Sequence, residues 1–312
     1  MTHSSATPTS QDHALSEPLS GDDSPPGVLS FNAVDPIGAG GLASDALVVA
    51  SIGAHALTVA TGIYLRDTRD AIGHAVIDDA VVAEQAQWVA EDVPVRTIKV
   101  GFVGSAEAVA AIAAFTADYP EVPVIAYMPD LSWWSEDEID SYLDAFRELL
   151  LPQTAVLVGN NPTLRHWLLP ESITDRHART TDLARAAAEL GVPYVLATGM
   201  PDASDKFSNV LASPQAELLS QSFDRIDAAF LGAGDILSAA LAALLATGSE
   251  LSEAALEALQ YLDQALDHGF RPGMGRAVAD RLFWAASDDA EVDTDDAPAP
   301  IDIPHPFNET KH

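Results

Sequence analysis

Short apolar runs alternate with longer helical patterns along most of this chain, and this alternation limits the fold more than any other feature of the sequence. The runs are nearly continuous, as expected of strands that helices cover on both faces, whereas a half-exposed strand alternates apolar and polar residues. Repeated strand and helix units of this kind build a parallel sheet. We therefore predict one α/β domain with three layers, in which helices cover both faces of a mostly parallel central sheet. The predicted strands are residues 28–32, 56–63, 97–102, 122–127, 155–158 and 194–198, with 209–212 and 217–221 as a candidate hairpin.

The two ends of the chain differ from its centre in composition. Residues 1–26 are rich in Ser, Thr, Pro and Asp, and residues 287–312 are rich in Asp and Pro. Segments this polar bury too little apolar surface to offset the entropy that is lost on ordering. We expect residues 1–26 to form a disordered tail, residues 27–286 to form the folded domain, and residues 287–312 to form an acidic disordered tail.

Acidic residues outnumber basic ones by 47 to 15, which gives a formal net charge of −32. Binding to nucleic-acid phosphates or to anionic lipids needs clustered Lys and Arg, so the composition argues against nucleic-acid and membrane partners. No apolar run of the sequence approaches the roughly 20 residues of a membrane-spanning helix. The chain has no cysteine, and its first residues lack the basic and apolar segments of a secretory signal. These features favour a cytoplasmic protein that acts on small molecules.

A glycine-rich turn precedes the most apolar helical pattern of the chain. The turn is Gly232, Ala233, Gly234 and Asp235, and residues 236–248 are apolar on nearly every helical face. Glycines let a backbone approach a ligand closely, and the unpaired N–H groups of a first helical turn can hold a phosphate. The helix dipole keeps an aspartate in that turn ionised, so that it can accept a proton from an attacking hydroxyl. A capping aspartate after an ordinary glycine turn is the alternative interpretation.

Four parts of the sequence together resemble one known family. They are an opening strand with a glycine-rich loop, a strand reading Ile-Lys-Val-Gly, a Leu-Leu-Pro stretch before a strand that ends in Asn-Asn-Pro, and the Gly-Ala-Gly-Asp turn. These motifs resemble the hydroxymethylpyrimidine/phosphomethylpyrimidine kinases of the ribokinase-like superfamily, and they imply a ribokinase-like fold. The matching segments are residues 28–42, 98–105, 148–152, 156–162 and 232–240, within a resemblance that covers about residues 28–284.

The resemblance implies a phosphotransferase that uses ATP and Mg²⁺ to phosphorylate hydroxymethylpyrimidine and/or its monophosphate in thiamine biosynthesis. Asp235 then takes the proton from the hydroxymethyl group. The amides of Gly232, Ala233 and Gly234 hold the phosphoryl group during its transfer. Positioning and charge neutralisation dominate such reactions, so a weakly basic aspartate is sufficient. The nucleotide-binding positions that the resemblance implies are Asn160, Thr198 and Gly199.

The same resemblance implies a substrate pocket beside the first strand. Asp35 matches the family aspartate that hydrogen-bonds the pyrimidine. Gly38, Gly40 and Gly41 allow the backbone to approach the ring closely. The implied partners are therefore a small pyrimidine substrate and ATP, and a homodimer is left open.

Several positions depart from the family pattern. Tyr127 and Thr163 occur where the family has acids near the metal, and Asp130 is either a replacement magnesium ligand or a loop aspartate. Arg66 occurs where the family has a glutamine that contacts the pyrimidine, and Phe102 occurs where it has a methionine. An arginine at that position binds a phosphate or carboxylate bidentately, or it pairs with Asp67 or Asp70 at the surface.

These departures leave three hypotheses. The retained Asp235 favours the kinase, whereas the lost acids favour a catalytically weak homologue that binds a pyrimidine or a nucleotide as a regulator. Arg66 and Phe102 leave a pyridoxal-type kinase open. A basic, glycine-rich segment at residues 270–276 is interpreted as a helix stop with a turn in preference to a phosphate contact.

Overall fold

A nine-stranded sheet forms the centre of the protein. The computed structural model describes residues 24–169, 178–201 and 206–285, so most of the predicted N-terminal tail and all of the predicted C-terminal tail lie outside the described residues. All six long strands predicted from the sequence are present, and each pairs in parallel with its neighbours among them. The strands are β1 (Gly27–Val34), β2 (His55–Arg66), β3 (Ala71–Val76), β4 (Val95–Val100), β5 (Val124–Met128), β6 (Thr154–Asn160), β7 (Tyr194–Pro201), β8 (Phe207–Ala212) and β9 (Glu217–Phe223), with a separate short pair formed by β10 (Phe230–Leu231) and β11 (Ala277–Val278).

The order of strands across the sheet is β3-β2-β1-β4-β5-β6-β7-β8-β9. Three strands at the two edges are antiparallel to their neighbours: β3 pairs with β2, and the candidate hairpin is confirmed as β8 and β9. The sequence analysis missed β3, because its exposed residues and its glycine at position 73 do not form an apolar run. The predicted α/β class with a mostly parallel sheet is confirmed.

Helices cover both faces of the sheet, as the sequence predicts. One face packs against α1, α7 and α8, and the other packs against α2 to α6, so the sheet separates two apolar cores. A π-helical turn at Phe146–Leu150 and a 3₁₀ turn at Leu151–Gln153 follow α4. The helices are α1 (Gly41–Ile52), α2 (Asp79–Asp92), α3 (Ala106–Ala117), α4 (Glu136–Ala145), α5 (Asn161–Leu168), α6 (Thr180–Glu189), α7 (Ala233–Ala246) and α8 (Leu251–Asp267).

Helix α7 lies at the centre of its layer. It is buried continuously from Asp235 to Leu244, because the sheet covers one side of it and α1 and α8 cover the others. Its near-uniform apolar sequence is therefore explained by its surroundings, since a helix that is hydrophobic all round is a buried one. In the described part of the chain, no helix has the length and the apolar character needed to cross a membrane.

Candidate active site

A cleft of about 310 Å³ opens at the carboxyl ends of the central strands. The chain passes from β1 to β2 on one side and returns to β4 on the other, and such a reversal of strand order leaves a crevice where ligands bind in α/β sheets. The cleft collects side chains from the ends of β1, β2 and β5 and from the start of α7. Its lining comprises Asp35, Gly40, Tyr64, Arg66, Asp70, Ala71, Tyr127, Pro129, Asp130, Ser132, Trp133, Leu231, Gly232, Asp235 and Arg276.

Asp235 lies at the floor of this cleft, with its side chain 12% exposed. Its Oδ1 atom accepts hydrogen bonds from Lys99 Nζ at 2.7 Å and from Asn32 Nδ2 at 2.8 Å. Its Oδ2 atom accepts one hydrogen bond, from the Gly41 N–H at 3.2 Å. Oδ2 is thus the less occupied of the two oxygens and the better placed to accept a proton.

The charge of Asp235 is maintained by Lys99. Burial pushes the pKa of Asp235 up, but the attraction and hydrogen bond of the Lys99 ammonium outweigh burial and hold that pKa below its ordinary value. Burial also opposes the charge of Lys99, yet Asp235 and Asp45 together raise the pKa of the lysine. Asp235 is therefore an ionised and weakly basic carboxylate.

Lys99 and Asp45 were not identified from the sequence as site residues. Lys99 lies within β4 and Asp45 within α1, and neither side chain is exposed to solvent. The only local signal was a lysine flanked by Ile98 and Val100 in a buried strand, where an unpaired charge is very costly. Such a lysine indicates a buried carboxylate partner, but its identity depends on the fold.

Two positions at the start of α7 accept only glycine. Gly232 has a φ of +77°, and a side chain there would meet the Ala39 carbonyl. A side chain at Gly234 would meet the ring of Tyr127. The N–H groups of the first turn have no carbonyl within the helix to bind, so they remain available to an anion.

Tyr127 and Asp130 lie where the resemblance implies the metal region. Burial, with added repulsion from Asp235 and Asp130, raises the pKa of the Tyr127 hydroxyl, so this position is neutral. Asp130 is exposed on the wall of the cleft, and its Oδ1 accepts a hydrogen bond from the Ser132 N–H at 3.0 Å. In the described parts of the chain, no group of three or more acidic or histidine side chains is placed to hold a metal ion.

Asp35 is fixed on the opposite wall of the cleft. Its two carboxylate oxygens accept hydrogen bonds from the backbone N–H groups of Ile37 at 3.2 Å and Gly40 at 3.0 Å. Arg66 Nη1 lies 3.9 Å from Asp35 Oδ2, so a charge pair is present within the cleft. Gly38 and Gly41, with φ of +63° and +64°, let the loop turn back to place these groups.

Phe102 lies outside the lining of the cleft. It is 1% exposed, and its ring stacks on Tyr64 with the centroids 5.1 Å apart. Tyr64 and Trp133 line the cleft in front of it, with their ring centroids 5.9 Å apart. The Phe102 ring also meets Trp133 edge-on, with the centroids 5.6 Å apart, so Phe102 supports the aromatic wall of the cleft from behind both residues.

A second, apolar cavity of about 230 Å³ lies on the other side of the start of α7. Thr198 and Gly199 line it, and the Gly199 N–H donates to Asn209 Oδ1 at 3.0 Å. Asn160 does not line either cavity, because its Oδ1 caps α5 by accepting from the Thr163 N–H at 2.8 Å. The other lining residues are Phe207, Asn209, Phe223, Asp224, Ile226, Ala228, Phe230, Ala233, Leu259, Leu262, Asp263 and Leu266.

The segment at residues 270–276 follows the end of α8 and turns, as predicted, but it also reaches the cleft. The Gly275 N–H donates to Thr68 Oγ1 at 3.1 Å, and the Arg276 N–H donates to the Thr68 carbonyl at 2.9 Å. These bonds hold the segment against the turn between β2 and β3. Arg276 thereby becomes a second arginine on the cleft, which the sequence analysis did not place there.

Comparison with known proteins identifies the family. The family model for phosphomethylpyrimidine kinase matches residues 35–280. This chain belongs to the phosphomethylpyrimidine kinase family. A hydroxymethylpyrimidine/phosphomethylpyrimidine kinase of Streptomyces coelicolor is 28% identical, over 84% of this chain and 96% of that protein. A thiamine biosynthesis bifunctional protein of Geobacter sulfurreducens is 27% identical over 83% of this chain, which spans only 52% of that protein's length.

Solved structures confirm the ribokinase-like fold expected from the resemblance. A Bacillus subtilis pyridoxal kinase, described as an ADP complex, superposes with a TM-score of 0.73 at 22% identity, over 85% of this chain and all of that chain. A phosphomethylpyrimidine kinase of Clostridium difficile superposes with a TM-score of 0.62 at 20% identity, over 77% of this chain and all of that chain. In this chain, the start of α7 lies between the polar cleft and the apolar cavity.

Proposed function

We propose that this chain transfers the γ-phosphoryl group of ATP to the hydroxymethyl group of hydroxymethylpyrimidine and/or its monophosphate. One observation carries the proposal: the start of α7 separates two cavities. Gly232 and Asp235 line the polar cleft, whereas Ala233 lines the apolar cavity. A donor in one cavity and an acceptor in the other meet at the N–H groups between them, which is the arrangement that phosphoryl transfer requires.

The acceptor alcohol is activated by Asp235. Its Oδ2 takes the hydroxyl proton as the alcohol oxygen bonds to the γ-phosphorus, and the bond from phosphorus to the β-phosphate oxygen breaks to release ADP. The first N–H groups of α7 stabilise the charge on the moving phosphoryl group. Lys99 and Asn32 hold Oδ1, so the carboxylate cannot rotate away from the acceptor.

ATP fits the apolar cavity through its adenine ring. Phe207, Phe223 and Phe230 and the leucines of α8 supply flat, apolar walls, as ligand pockets commonly do. The triphosphate then extends past Ala233 towards the cleft. Magnesium, when bound, would neutralise phosphate charge, and Asp130, one of the carboxylates that line the cleft, would hold it. One carboxylate is sufficient, because Mg²⁺ usually keeps several waters and binds phosphate oxygens.

Asn209→Ala is expected to raise the KM for ATP about five- to tenfold and to leave the KM for the acceptor unchanged. The substitution removes the oxygen that accepts from the Gly199 N–H at the edge of the apolar cavity, and a hydrogen bond of this kind contributes about 1 kcal/mol. Steady-state kinetics with each substrate varied in turn measures both constants. Gln221→Ala, at the paired position on β9, is the matched control, because Gln221 does not line the cavity. An effect on the acceptor alone would contradict the assignment of this cavity to ATP.

Asp35 and the two arginines supply recognition of the acceptor. Asp35 accepts from a ring amino group, while Arg66 and Arg276 donate to ring nitrogen, oxygen or phosphate atoms. Arg66→Met and Arg276→Met are each expected to raise the KM for the acceptor about ten- to a hundredfold, because a hydrogen bond to a charged group contributes about 1.5–3 kcal/mol. Arg69→Met, on the same turn but outside the cleft lining, should change neither KM. Equal effects of all three substitutions would exclude a specific role for the two cleft arginines.

A pyridoxal-type ring is the second candidate for the acceptor. Arg66 carries only donors, and it lies 3.9 Å from Asp35 within the cleft. An aminopyrimidine edge presents a donor beside an acceptor, whereas every oxygen substituent of pyridoxal can accept a hydrogen bond. The arginine therefore favours an oxygen-bearing ring at this point more than the glutamine of related kinases does.

The proposal is tested by incubating the protein with ATP and MgCl₂ and, in separate reactions, hydroxymethylpyrimidine, its monophosphate and pyridoxal. ADP release is followed by a coupled assay, and the phosphorylated product is identified by mass spectrometry. We expect ADP release that depends on a pyrimidine acceptor. Nucleotide binding measured by calorimetry, without turnover of any acceptor, would instead support the regulatory binding protein.

A further inference from the structure

A hydrogen-bonded polar cluster extends from Asp235 into the interior of the protein. Asp45, on α1, accepts hydrogen bonds from Lys99 Nζ at 3.0 Å to each of its two oxygens. Its Oδ2 also accepts from Ser30 Oγ at 3.1 Å and Asn32 Nδ2 at 3.0 Å. The side chains of Asp45 and Lys99 are fully buried. The cluster therefore joins two carboxylates, one ammonium group and one amide, and among these groups Asp235 is the one that opens to the cleft.

Two side chains bridge the carboxylates. Lys99 directs its three donors to both oxygens of Asp45 and to Oδ1 of Asp235. Asn32 Nδ2 also donates to both carboxylates, while its own oxygen accepts from the N–H groups of Ala33 at 2.9 Å and Phe102 at 3.1 Å. Every donor and acceptor of Asn32 is thus used, so the bridge has one fixed orientation.

The charges of this cluster do not cancel. Two carboxylates share one ammonium, which leaves a net charge of −1 in a buried site while both acids are ionised. We propose that Asp45 is a positioning residue that keeps Asp235 basic enough to accept the substrate's proton. The negative charge of Asp45 partly cancels the effect of the Lys99 ammonium on Asp235, so Asp235 is a stronger base than it would be beside Lys99 alone. When Asp235 takes up a proton, the net charge of the cluster becomes zero. This inference rests on the proposed function, in which Asp235 is the base.

The charged groups around Asp45 support this role. Lys99 on β4 and Asp235 on α7 are its ionic neighbours, and Ser30 and Asn32 on β1 are its neutral ones. Burial, only partly opposed by Lys99 and reinforced by Asp235, raises the pKa of Asp45 to about 6. When Asp45 is protonated below that pH, Lys99 pairs with Asp235 alone, so Asp235 becomes a weaker base.

The test compares the pH dependence of kcat in the unaltered protein and in Asp45→Asn between pH 5 and pH 8. We expect kcat of the unaltered protein to fall as the pH drops through about 6. The kcat of Asp45→Asn should not change with pH in this range, and it should stay about three- to tenfold below the kcat of the unaltered protein at pH 8. The reason is that Lys99 pairs with Asp235 alone at every pH in this variant, which makes Asp235 a weaker base. The variant keeps a one-to-one pair of Lys99 with Asp235, so the buried charge is balanced.

Ser30→Ala is the matched control, because it removes one hydrogen bond to Asp45 without removing the charge. The fall near pH 6 should persist in this variant and move to slightly higher pH, since the ionised form of Asp45 loses a donor. The inference is overturned if Asp45→Asn keeps the fall near pH 6, or if it lowers kcat equally at all pH values.

Carbon-13 NMR of the aspartate carboxyl groups provides a second readout that needs no turnover. Asp235 should stay ionised between pH 5 and pH 8 in both proteins, because Lys99 holds its pKa below the ordinary value. Its carboxyl resonance should nevertheless shift near pH 6 in the unaltered protein, as Asp45 takes up a proton, and should not shift there in Asp45→Asn. Absence of that shift in the unaltered protein would overturn the inference even if the kinase reaction is confirmed. Absence of turnover in the unaltered protein would instead contradict the proposed function, and the NMR comparison would still decide whether Asp235 responds to the charge of Asp45.

Discussion

Asp235→Asn is expected to lower kcat about 10²–10⁴-fold, the range that a positioned general base contributes. Asn has nearly the same size as Asp but cannot take the proton from the acceptor hydroxyl. Asp235→Glu restores a carboxylate at a shifted position, so its kcat should lie between those of the unaltered protein and of Asp235→Asn. The KM for ATP should change little in Asp235→Asn, because Ala233 and not Asp235 lines the apolar cavity.

The fold should tolerate the change from Asp to Asn. Lys99 keeps its ion pair with Asp45, and Asn32 can still donate to the side-chain oxygen at position 235. The one hydrogen bond that is lost comes from the Gly41 N–H. Asp235→Asn should therefore lose most of its turnover. Its nucleotide binding, measured by calorimetry, and its thermal unfolding should remain close to those of the unaltered protein. Retention of more than a tenth of the original kcat would exclude Asp235 as the base.

Lys99→Met is expected to lower the free energy of unfolding by about 3–5 kcal/mol at pH 7, because removing one partner of a buried ion pair leaves uncompensated charge. Asp45 and Asp235 would then face each other with Asn32 as their shared donor. Two buried carboxylates without a cation bind protons more readily than they do in the unfolded chain. The stability that is lost should therefore be partly recovered as the pH falls towards 5.

Urea unfolding at pH 5 and pH 7 measures this effect. Lys206→Met is the control: Lys206 pairs with Asp224 at 2.8 Å, but both side chains are exposed, at 43% and 88%. An exposed pair contributes about 0–1 kcal/mol, so this second lysine substitution should change stability little. Similar losses in the two variants would show that the buried cluster has no special role in stability.

The parallel part of the sheet could be predicted because its strands are buried on both faces. Burial on both faces produces continuous apolar runs, which are visible one segment at a time. Strand β3 gives no such signal, since half of its residues are exposed, none is fully buried, and it is defined by its pairing with β2. Its presence therefore depends on the neighbouring strand more than on its own composition.

Part of the candidate site could be proposed from sequence, where one segment carries both the geometry and the chemistry. The turn from Gly232 to Asp235 is such a segment, and the structure places it between the two cavities. Arg276 could not be placed on the cleft from sequence, because its position depends on Thr68, which is distant along the chain. Asp45 and Lys99 are likewise joined only by the fold, at a separation of 54 residues.

The central position of α7 has a consequence for synthesis of the protein. Strands β1, β4, β5 and β6 all pack against this helix, yet it begins only at Ala233, after every strand of the main sheet has been made. Until α7 leaves the ribosome, one face of the nascent sheet lacks its central covering and exposes apolar side chains. Such surfaces promote aggregation of incomplete chains, so chaperones that hold nascent proteins have most to bind during that interval.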